Sequence, residues 1–131
     1  MHLLTTSEIA IRWTDLDAYG HVNNSVFFDF MTEARAELLK DLLNMKDLCQ
    51  FVTAHVECDY KAPYHYPDTL ILKQYCEQIG SVKFNLKYEF YSKSNPGVLH
   101  AESEALMVAY SPVTKKPVRL PKEILALLEA E

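Results

Sequence analysis

Two carboxylates and an imidazole lie close together near the start of the chain, where they could act on a carbonyl group. Asp15, Asp17 and His21 fall within seven residues, and Asn23 and Asn24 follow them. Both asparagines are good helix-capping residues, and a helical pattern comes next. A carboxylate that faces unpaired backbone N–H groups at a helix start suits acyl-transfer chemistry, because the amides can stabilise an oxyanion while the carboxylate acts on the other side.

The backbone amides at this predicted helix start should be free of a capping box. Val26 and Phe27 stand three residues beyond the two asparagines, so neither position supplies the required Glu or Gln. The helix dipole adds positive potential at the same point. For Asp17 the alternative is a structural role, in which its carboxylate closes an Asx turn ahead of the helix. Asp15 is expected to tie the loop down through hydrogen bonds.

The rest of the chain predicts a sheet and one long helix that could position this loop. A first strand is expected over residues 8–13, and residues 24–43 carry apolar side chains at helical spacing without Gly or Pro. A short helix is expected to follow Pro121 and to end near Glu129. Four further strands, which we expect to be joined by tight turns into an antiparallel sheet, lie over residues 51–60, 69–79, 82–91 and 100–110. The predicted class is therefore α+β, with the helix packed on the sheet.

Length and composition exclude several classes of protein. The 131 residues suit one domain, residues 1–131, and the formal net charge of −5 argues against nucleic-acid binding. No apolar run approaches the roughly 18 residues of a membrane span. The first residues lack the pattern of a signal peptide, so we expect a cytoplasmic protein. The spacings of cysteine and histidine do not match metal-ligand patterns, so we expect neither a metal site nor a cofactor.

The segment Asp17-x-x-Gly20-His21-Val22-Asn23-Asn24, taken with this architecture, resembles the hotdog-fold thioesterases of the 4-hydroxybenzoyl-CoA thioesterase type. A specific match lies at residues 12–17, and supporting matches lie at residues 33–35, 60–63 and 116–121. The resemblance implies a hotdog fold, in which a curved antiparallel sheet of about five strands wraps around one long central α-helix. It also implies a homodimer, or a dimer of dimers, with the active site between subunits.

The resemblance further implies roles for three residues of the loop. Asp17 would be the catalytic carboxylate, and the backbone N–H of Asn24 would polarise the thioester carbonyl. Whether Asp17 attacks the carbonyl carbon or activates a water stays open at this point. His21 could orient a water, bind the acyl carbonyl or support the loop.

Substrate contacts are expected from three groups of residues. The loop would contribute Tyr19, Gly20 and Asn23. Phe27, Phe28 and Met31 are expected to form the apolar wall that an acyl group needs. Lys61 is expected to supply the cation that the phosphates of CoA need.

We therefore expect an acyl-CoA thioesterase that hydrolyses acyl-CoA to a free carboxylic acid and CoA. Two alternatives stay open. An acyl-acyl-carrier-protein thioesterase would use the same chemistry, although the negative net charge disfavours docking of an acidic carrier protein. A non-catalytic hotdog module would bind acyl groups without hydrolysing them.

Overall fold

One antiparallel sheet packs against a central helix in this protein. The computed structural model describes residues 1–40 and 49–129. A short 3₁₀ turn, Trp13–Asp15, follows the first strand. In chain order the longer elements are β1 (His2–Ala10), α1 (Val26–Leu39), β2 (Gln50–Tyr60), β3 (Thr69–Glu77), β4 (Lys83–Ser92), β5 (Ala101–Tyr110) and α2 (Lys122–Glu129).

The strands are arranged in the order β1-β3-β4-β5-β2, and every neighbouring pair is antiparallel. The predicted class and the five-stranded sheet against a long helix are confirmed. The expectation that all four later strands follow one another through tight turns is wrong for β2 and β3, which are separated by β4 and β5. The segment between them contains Pro63 and Pro67, which lack the N–H that a ladder requires. It crosses from one side of the sheet to the other past the loop that precedes α1, where Tyr64 O accepts a hydrogen bond from Val22 N.

The sheet buries one face against α1, as the alternation along the strands predicts. In β4 every second side chain is fully buried. In β5 the buried face consists of small residues apart from Met107, which leaves room for the helix. The helix contributes five buried side chains at spacings of three and four: Phe27, Phe30, Met31, Ala34 and Leu38. Removing this much apolar surface from water is the main stabilising contribution, at about 25 cal/mol per Å².

Two predicted boundaries differ from the structure. The first strand is His2–Ala10 rather than residues 8–13, because Asp15 N donates to Arg12 O at 3.0 Å and folds the chain into a 3₁₀ turn. The carboxylate of Asp15 caps this turn by accepting from Arg12 N at 2.8 Å. The long helix begins at Val26, two residues later than predicted, and its expected last turn at residues 41–43 lies outside the described residues.

A buried polar network fixes the position of α1 on the sheet. Gln74 is fully buried, and its Nε2 donates to Ala34 O at 3.1 Å and to Thr5 Oγ1 at 3.0 Å. Its Oε1 accepts from the hydroxyl of Tyr88 at 2.7 Å, and Arg35 reaches that hydroxyl at 3.4 Å. The Gln74 side chain is therefore satisfied at both ends, as a buried amide must be.

The cysteines are free thiols, with Cys49 and Cys76 buried and Cys58 half-buried. Burial raises the pKa of the Cys76 thiol to about 11, so this side chain stays protonated at neutral pH. Across residues 1–40 and 49–129, no three His, Cys, Asp or Glu side chains come together as they would around a metal ion. Neither helix in these ranges has the length and apolar character needed to cross a membrane.

Candidate active site

The loop ahead of α1 is anchored by a buried carboxylate. Asp15 is 1% exposed and accepts hydrogen bonds from Arg12 N at 2.8 Å, Arg12 Nη2 at 2.8 Å and Arg12 Nε at 3.2 Å. Its backbone carbonyl accepts a further hydrogen bond from Asn23 N at 2.9 Å. Asp15 therefore connects the two ends of the loop, which agrees with its expected structural role.

Asp17 closes a tight turn with one carboxylate oxygen. Its Oδ1 accepts from Tyr19 N at 2.8 Å and from His21 N at 3.2 Å, which is the Asx-type geometry of the structural alternative. Its backbone N–H donates to His21 O at 2.7 Å. Gly20 occupies the position of positive φ in this turn, at +80°, which glycine adopts without strain. The second oxygen of Asp17 makes no hydrogen bond within the described residues, so one lone-pair face of the carboxylate stays available.

The first turn of α1 uses most of the amides that the sequence leaves uncapped. Val26, Phe27 and Phe28 donate their backbone N–H groups to the carbonyls three residues earlier, at 3.0, 3.3 and 3.3 Å. The N-cap is Ser25, without a side-chain cap bond. The expectation of several bare amides at the helix start is therefore wrong, because the first turn is tightened into i→i−3 bonds.

The backbone amide of Asn24 does not take part in these bonds. The Oδ1 of Asn23 accepts from Ser25 N at 3.0 Å and from Ser25 Oγ at 2.9 Å, so Asn23 caps a local turn rather than the helix. Asn24 N makes no hydrogen bond within residues 1–40 and 49–129. Asn24 O, by contrast, accepts from the hydroxyl of Tyr60 at 2.9 Å, so the residue is held by β2 while its N–H stays open.

Asp17 and Asn24 line the same cavity. Its volume is about 240 Å³, and its walls come from the loop, the start of α1, the end of β2 and the segment after β2. The lining residues are Asp17, His21, Val22, Asn24, Phe27, Tyr60, Lys61, Ala62 and Pro63. Asp17, His21 and Asn24, the three residues predicted to be catalytic, thus lie around one space, together with the predicted substrate contacts Phe27 and Lys61.

The other predicted substrate contacts lie elsewhere. Met31 is fully buried in the core, and Phe28 is half-buried beside it. Tyr19 is 86% exposed, and its backbone N–H serves the Asp17 turn. Asn23 holds Ser25, and Gly20 borders a neighbouring cavity. These four side chains and Gly20 do not line the cavity of Asp17 and Asn24, so their roles in substrate binding stay predictions.

Tyr60 is a site residue that sequence reasoning missed. Its ring contacts Phe27 edge-on, with centroids 5.0 Å apart, and its hydroxyl holds Asn24 O. Burial, followed by the nearby Cys58 thiol, raises the pKa of Tyr60 to about 12, so it remains a donor at neutral pH. The only sequence signal was the Tyr60–Pro63 break, which supported the family resemblance without giving Tyr60 a role.

The wall opposite the loop is held by His100. The backbone carbonyl of His100 accepts from Lys61 N at 2.9 Å and from Ala62 N at 3.1 Å. Its ring stacks on Tyr64, with centroids 4.0 Å apart and planes 11° inclined, and its Nδ1 lies 3.1 Å from Pro63 O. The segment that carries Lys61 is thereby tied to the start of β5.

Comparisons with known proteins agree with this arrangement. A family model described as the thioesterase-like superfamily matches residues 11–128. The long-chain acyl-CoA thioesterase FadM of Escherichia coli K12 is 26% identical over 131 residues, with 94% of this chain and 96% of that protein covered. The acyl-CoA thioester hydrolase YbgC of Escherichia coli O157:H7 is 26% identical over 123 residues, which cover 90% of each chain.

A solved structure shares the whole fold. The PA2801 protein of Pseudomonas aeruginosa is similar with a TM-score of 0.87 and 27% identity, over 95% of this chain and 98% of that one. Because the family model spans most of the chain and the sheet, central helix and loop are all present, this chain belongs to the thioesterase-like superfamily and has the hotdog fold.

Proposed function

We propose that this protein is an acyl-CoA thioesterase that hydrolyses acyl-CoA to a carboxylic acid and CoA, with Asp17 as general base or nucleophile. One observation carries the proposal: a single cavity is lined by Asp17, whose second carboxylate oxygen accepts no hydrogen bond within the described residues, and by Asn24, whose N–H is likewise unpaired there. The names of the relatives FadM and YbgC, both acyl-CoA thioester hydrolases, support the choice of substrate.

The chemistry needs a base or nucleophile on one side of the carbonyl and a donor on the other. In the general-base form, Asp17 takes a proton from a water while the water oxygen bonds to the carbonyl carbon. The negative charge that develops on the carbonyl oxygen is stabilised by the N–H of Asn24. The tetrahedral intermediate then collapses, the C–S bond breaks, and the CoA thiolate leaves with the electron pair. A thiol of pKa about 8.5 is a good leaving group, so no strong acid is required.

In the nucleophilic form, an oxygen of Asp17 bonds to the carbonyl carbon and the thiolate leaves, which gives a mixed anhydride that water then hydrolyses. His21 borders the cavity from the loop side, and its ring contacts His65 with centroids 5.0 Å apart. From there it is available to orient the attacking water in either form.

The test is hydrolysis of a panel of acyl-CoA substrates by the wild type and by Asp17→Asn. We expect Asp17→Asn to lower kcat by at least about 10²-fold, the scale of general acid–base catalysis. The control is Glu123→Gln, which makes the same carboxylate-to-amide change at an exposed position on α2 and should retain wild-type activity. Near-normal turnover by a folded Asp17→Asn variant would remove the proposal.

Lys61 favours CoA as the carrier over an acidic protein bearing the same thioester. It is an exposed cation in the lining of the Asp17 cavity, where the phosphates of CoA would find a partner. Rates on matched acyl-CoA and acyl-carrier-protein thioesters separate the two carriers. Tight binding of acyl-CoA without turnover of any thioester would favour the non-catalytic module instead.

We also infer that the active unit is an oligomer of this chain, because Asp17 and Asn24 are both exposed in the single chain. Electrostatic stabilisation of an oxyanion is strong only where water is excluded. A second subunit is the simplest cover for the site, and β2 offers it an unpaired edge at the end of the sheet.

A further inference from the structure

A second cavity is also lined by Asp17. Its volume is about 390 Å³, within the range of small-molecule sites. Its walls are Trp13, Leu16, Asp17, Ala18, Gly20 and Tyr66. Asp17 is the one residue that this cavity shares with the cavity of Asn24 and Lys61. A group that reacts at Asp17 could therefore extend into both spaces.

Two large aromatic rings form the far wall of the second cavity. Trp13 and Tyr66 pack edge to face, with centroids 5.9 Å apart and planes 80° inclined, and we call this pair the aromatic shelf. Trp13 is 70% exposed and Tyr66 is 45% exposed. Aromatic side chains of this size gain much from burial, so such exposure beside a reactive carboxylate is typical of a binding surface.

The two cavities differ in charge. The lining of the Asn24 cavity includes a cation, Lys61. The second cavity has no charged lining side chain except Asp17 itself, and its other lining residues are aromatic, aliphatic or glycine. A thioester has the same asymmetry, because its carrier arm ends in phosphates while its acyl arm is apolar.

We propose that the aromatic shelf of Trp13 and Tyr66 binds the acyl arm of the substrate, with an apolar group larger than acetyl lying along the second cavity. This inference rests on the proposed thioesterase function. It differs from the sequence-based expectation of an acyl wall at Phe27, Phe28 and Met31, because Met31 is fully buried and offers no surface to a ligand. The carrier arm then leaves through the cavity of Lys61.

Binding can be followed directly, because Trp13 is the single tryptophan of the chain. The intrinsic fluorescence of Asp17→Asn, in which turnover is expected to be suppressed, is titrated with decanoyl-CoA, acetyl-CoA and free CoA. We expect a saturable change in Trp13 emission with decanoyl-CoA and a much smaller change with the other two. An equal change in Trp13 emission with free CoA would show that CoA itself binds at the aromatic shelf, which would overturn the assignment of the shelf to the acyl arm. Calorimetric binding of decanoyl-CoA without any change in emission would overturn it as well.

Kinetics give a second, independent readout on the wild-type background. We expect Trp13→Ala and Tyr66→Leu to lower kcat/KM for decanoyl-CoA by about 10-fold to 100-fold, the scale of losing one large apolar contact. For acetyl-CoA the loss should stay below about threefold. Val113→Ala, which removes part of an 85% exposed side chain away from both cavities, is the control and should change neither value.

The outcomes separate this inference from the proposed function. If the wild type hydrolyses acyl-CoA but Trp13→Ala and Tyr66→Leu lose equal activity on decanoyl-CoA and acetyl-CoA, the assignment of the aromatic shelf is overturned and the proposed function stands. Absence of both turnover and acyl-CoA binding in the wild type would overturn the proposed function and the shelf with it.

Discussion

The hydroxyl of Tyr60 donates a hydrogen bond of 2.9 Å to the backbone carbonyl of Asn24, thirty-six positions earlier in the chain. This bond joins the end of β2 to the turn before α1. The bond holds Asn24, whose N–H is the candidate oxyanion donor, and so connects that donor to the sheet. Tyr60 is therefore a positioning residue in the proposed mechanism.

Replacing Tyr60 by Phe should reduce catalysis more than binding. The ring and its contact with Phe27 are kept, while the hydrogen bond to Asn24 O is lost. We expect kcat to fall by about 3-fold to 10-fold with KM nearly unchanged, and the free energy of unfolding to fall by about 1 kcal/mol. Steady-state kinetics and denaturant unfolding measure the two effects. Tyr110→Phe, whose hydroxyl makes no hydrogen bond in the described chain, is the control, and equal effects of both variants would contradict the role of Tyr60.

Substitutions at Asn24 should separate its backbone from its side chain. Asn24→Ala keeps the N–H, so we expect kcat to stay within about threefold of the wild type. Asn24→Pro removes the N–H itself, and loss of one oxyanion donor typically costs about 10²-fold to 10³-fold in kcat. Thermal unfolding of both variants shows whether the fold survives. If folded Asn24→Pro retains wild-type kcat, Asn24 N is not the oxyanion donor.

Removing the buried carboxylate of Asp15 should destabilise the protein. In Asp15→Ala, Arg12 N and the Arg12 guanidinium lose their acceptor, so the 3₁₀ turn loses its side-chain cap while its backbone bonds remain. We expect the free energy of unfolding to fall by about 1–3 kcal/mol. Lys93→Gln breaks the ion pair of Lys93 with Glu8, in which both side chains are more than half exposed, and should cost less than about 1 kcal/mol. Denaturant titration compares the two variants. Equal losses of unfolding free energy would show that Asp15 contributes no more to stability than a surface ion pair.

Asp68 should make part of the stability dependent on pH. Burial acts to raise the pKa of this carboxyl, but hydrogen bonds from Ser94 Oγ and Thr69 N outweigh it and hold the pKa below the ordinary value of 3.8. A lowered folded pKa means that the stabilisation is present above the unfolded pKa and is lost as the pH falls through the folded pKa. At pH 7, Asp68→Asn should therefore lower the free energy of unfolding by about 1 kcal/mol, and the difference should shrink by pH 3.

Unfolding free energies of the wild type and Asp68→Asn at pH 7 and pH 3 measure this effect. Asp59→Asn, whose side chain makes no hydrogen bond within residues 1–40 and 49–129, should cost less than about 0.5 kcal/mol at both values. A difference for Asp68→Asn that grows toward pH 3 would reverse the predicted sign.

The β2 edge of the sheet should be the contact between subunits. β2 is an end strand, and its Val52 and Val56 are 46% and 37% exposed. A charge there disfavours strand pairing between chains. We expect the wild type to be at least dimeric and Val56→Lys to raise the dissociation constant at least about tenfold, measured by analytical ultracentrifugation. Val113→Lys, on an exposed turn, is the control. A wild type that is monomeric and active would contradict the inferred oligomer.

Several parts of this molecule are determined by local sequence. The alternation of Phe84, Leu86, Tyr88 and Phe90 with polar residues predicts a half-buried strand, because a pleated strand exposes every second side chain to one face. The motif from Asp17 to Asn24 predicts a turn beside a helix start, because Gly20 and the polar side chains around it make local hydrogen bonds. Both features depend on neighbours only a few residues away.

The tertiary structure alone decided the rest. Periodicity reports which side chains are buried, but it does not report which strands are neighbours, so the separation of β2 from β3 could not be inferred. The first turn of α1 occupies the amides of Val26, Phe27 and Phe28, so one amide stays open, at Asn24, where the sequence predicted several. The bond from Tyr60 to Asn24 O, which no local pattern predicts, holds that residue in place. The pairing of Trp13 with Tyr66 likewise joins residues fifty-three positions apart. Such contacts arise from how the crossing segment packs against the loop, and no local pattern encodes that packing.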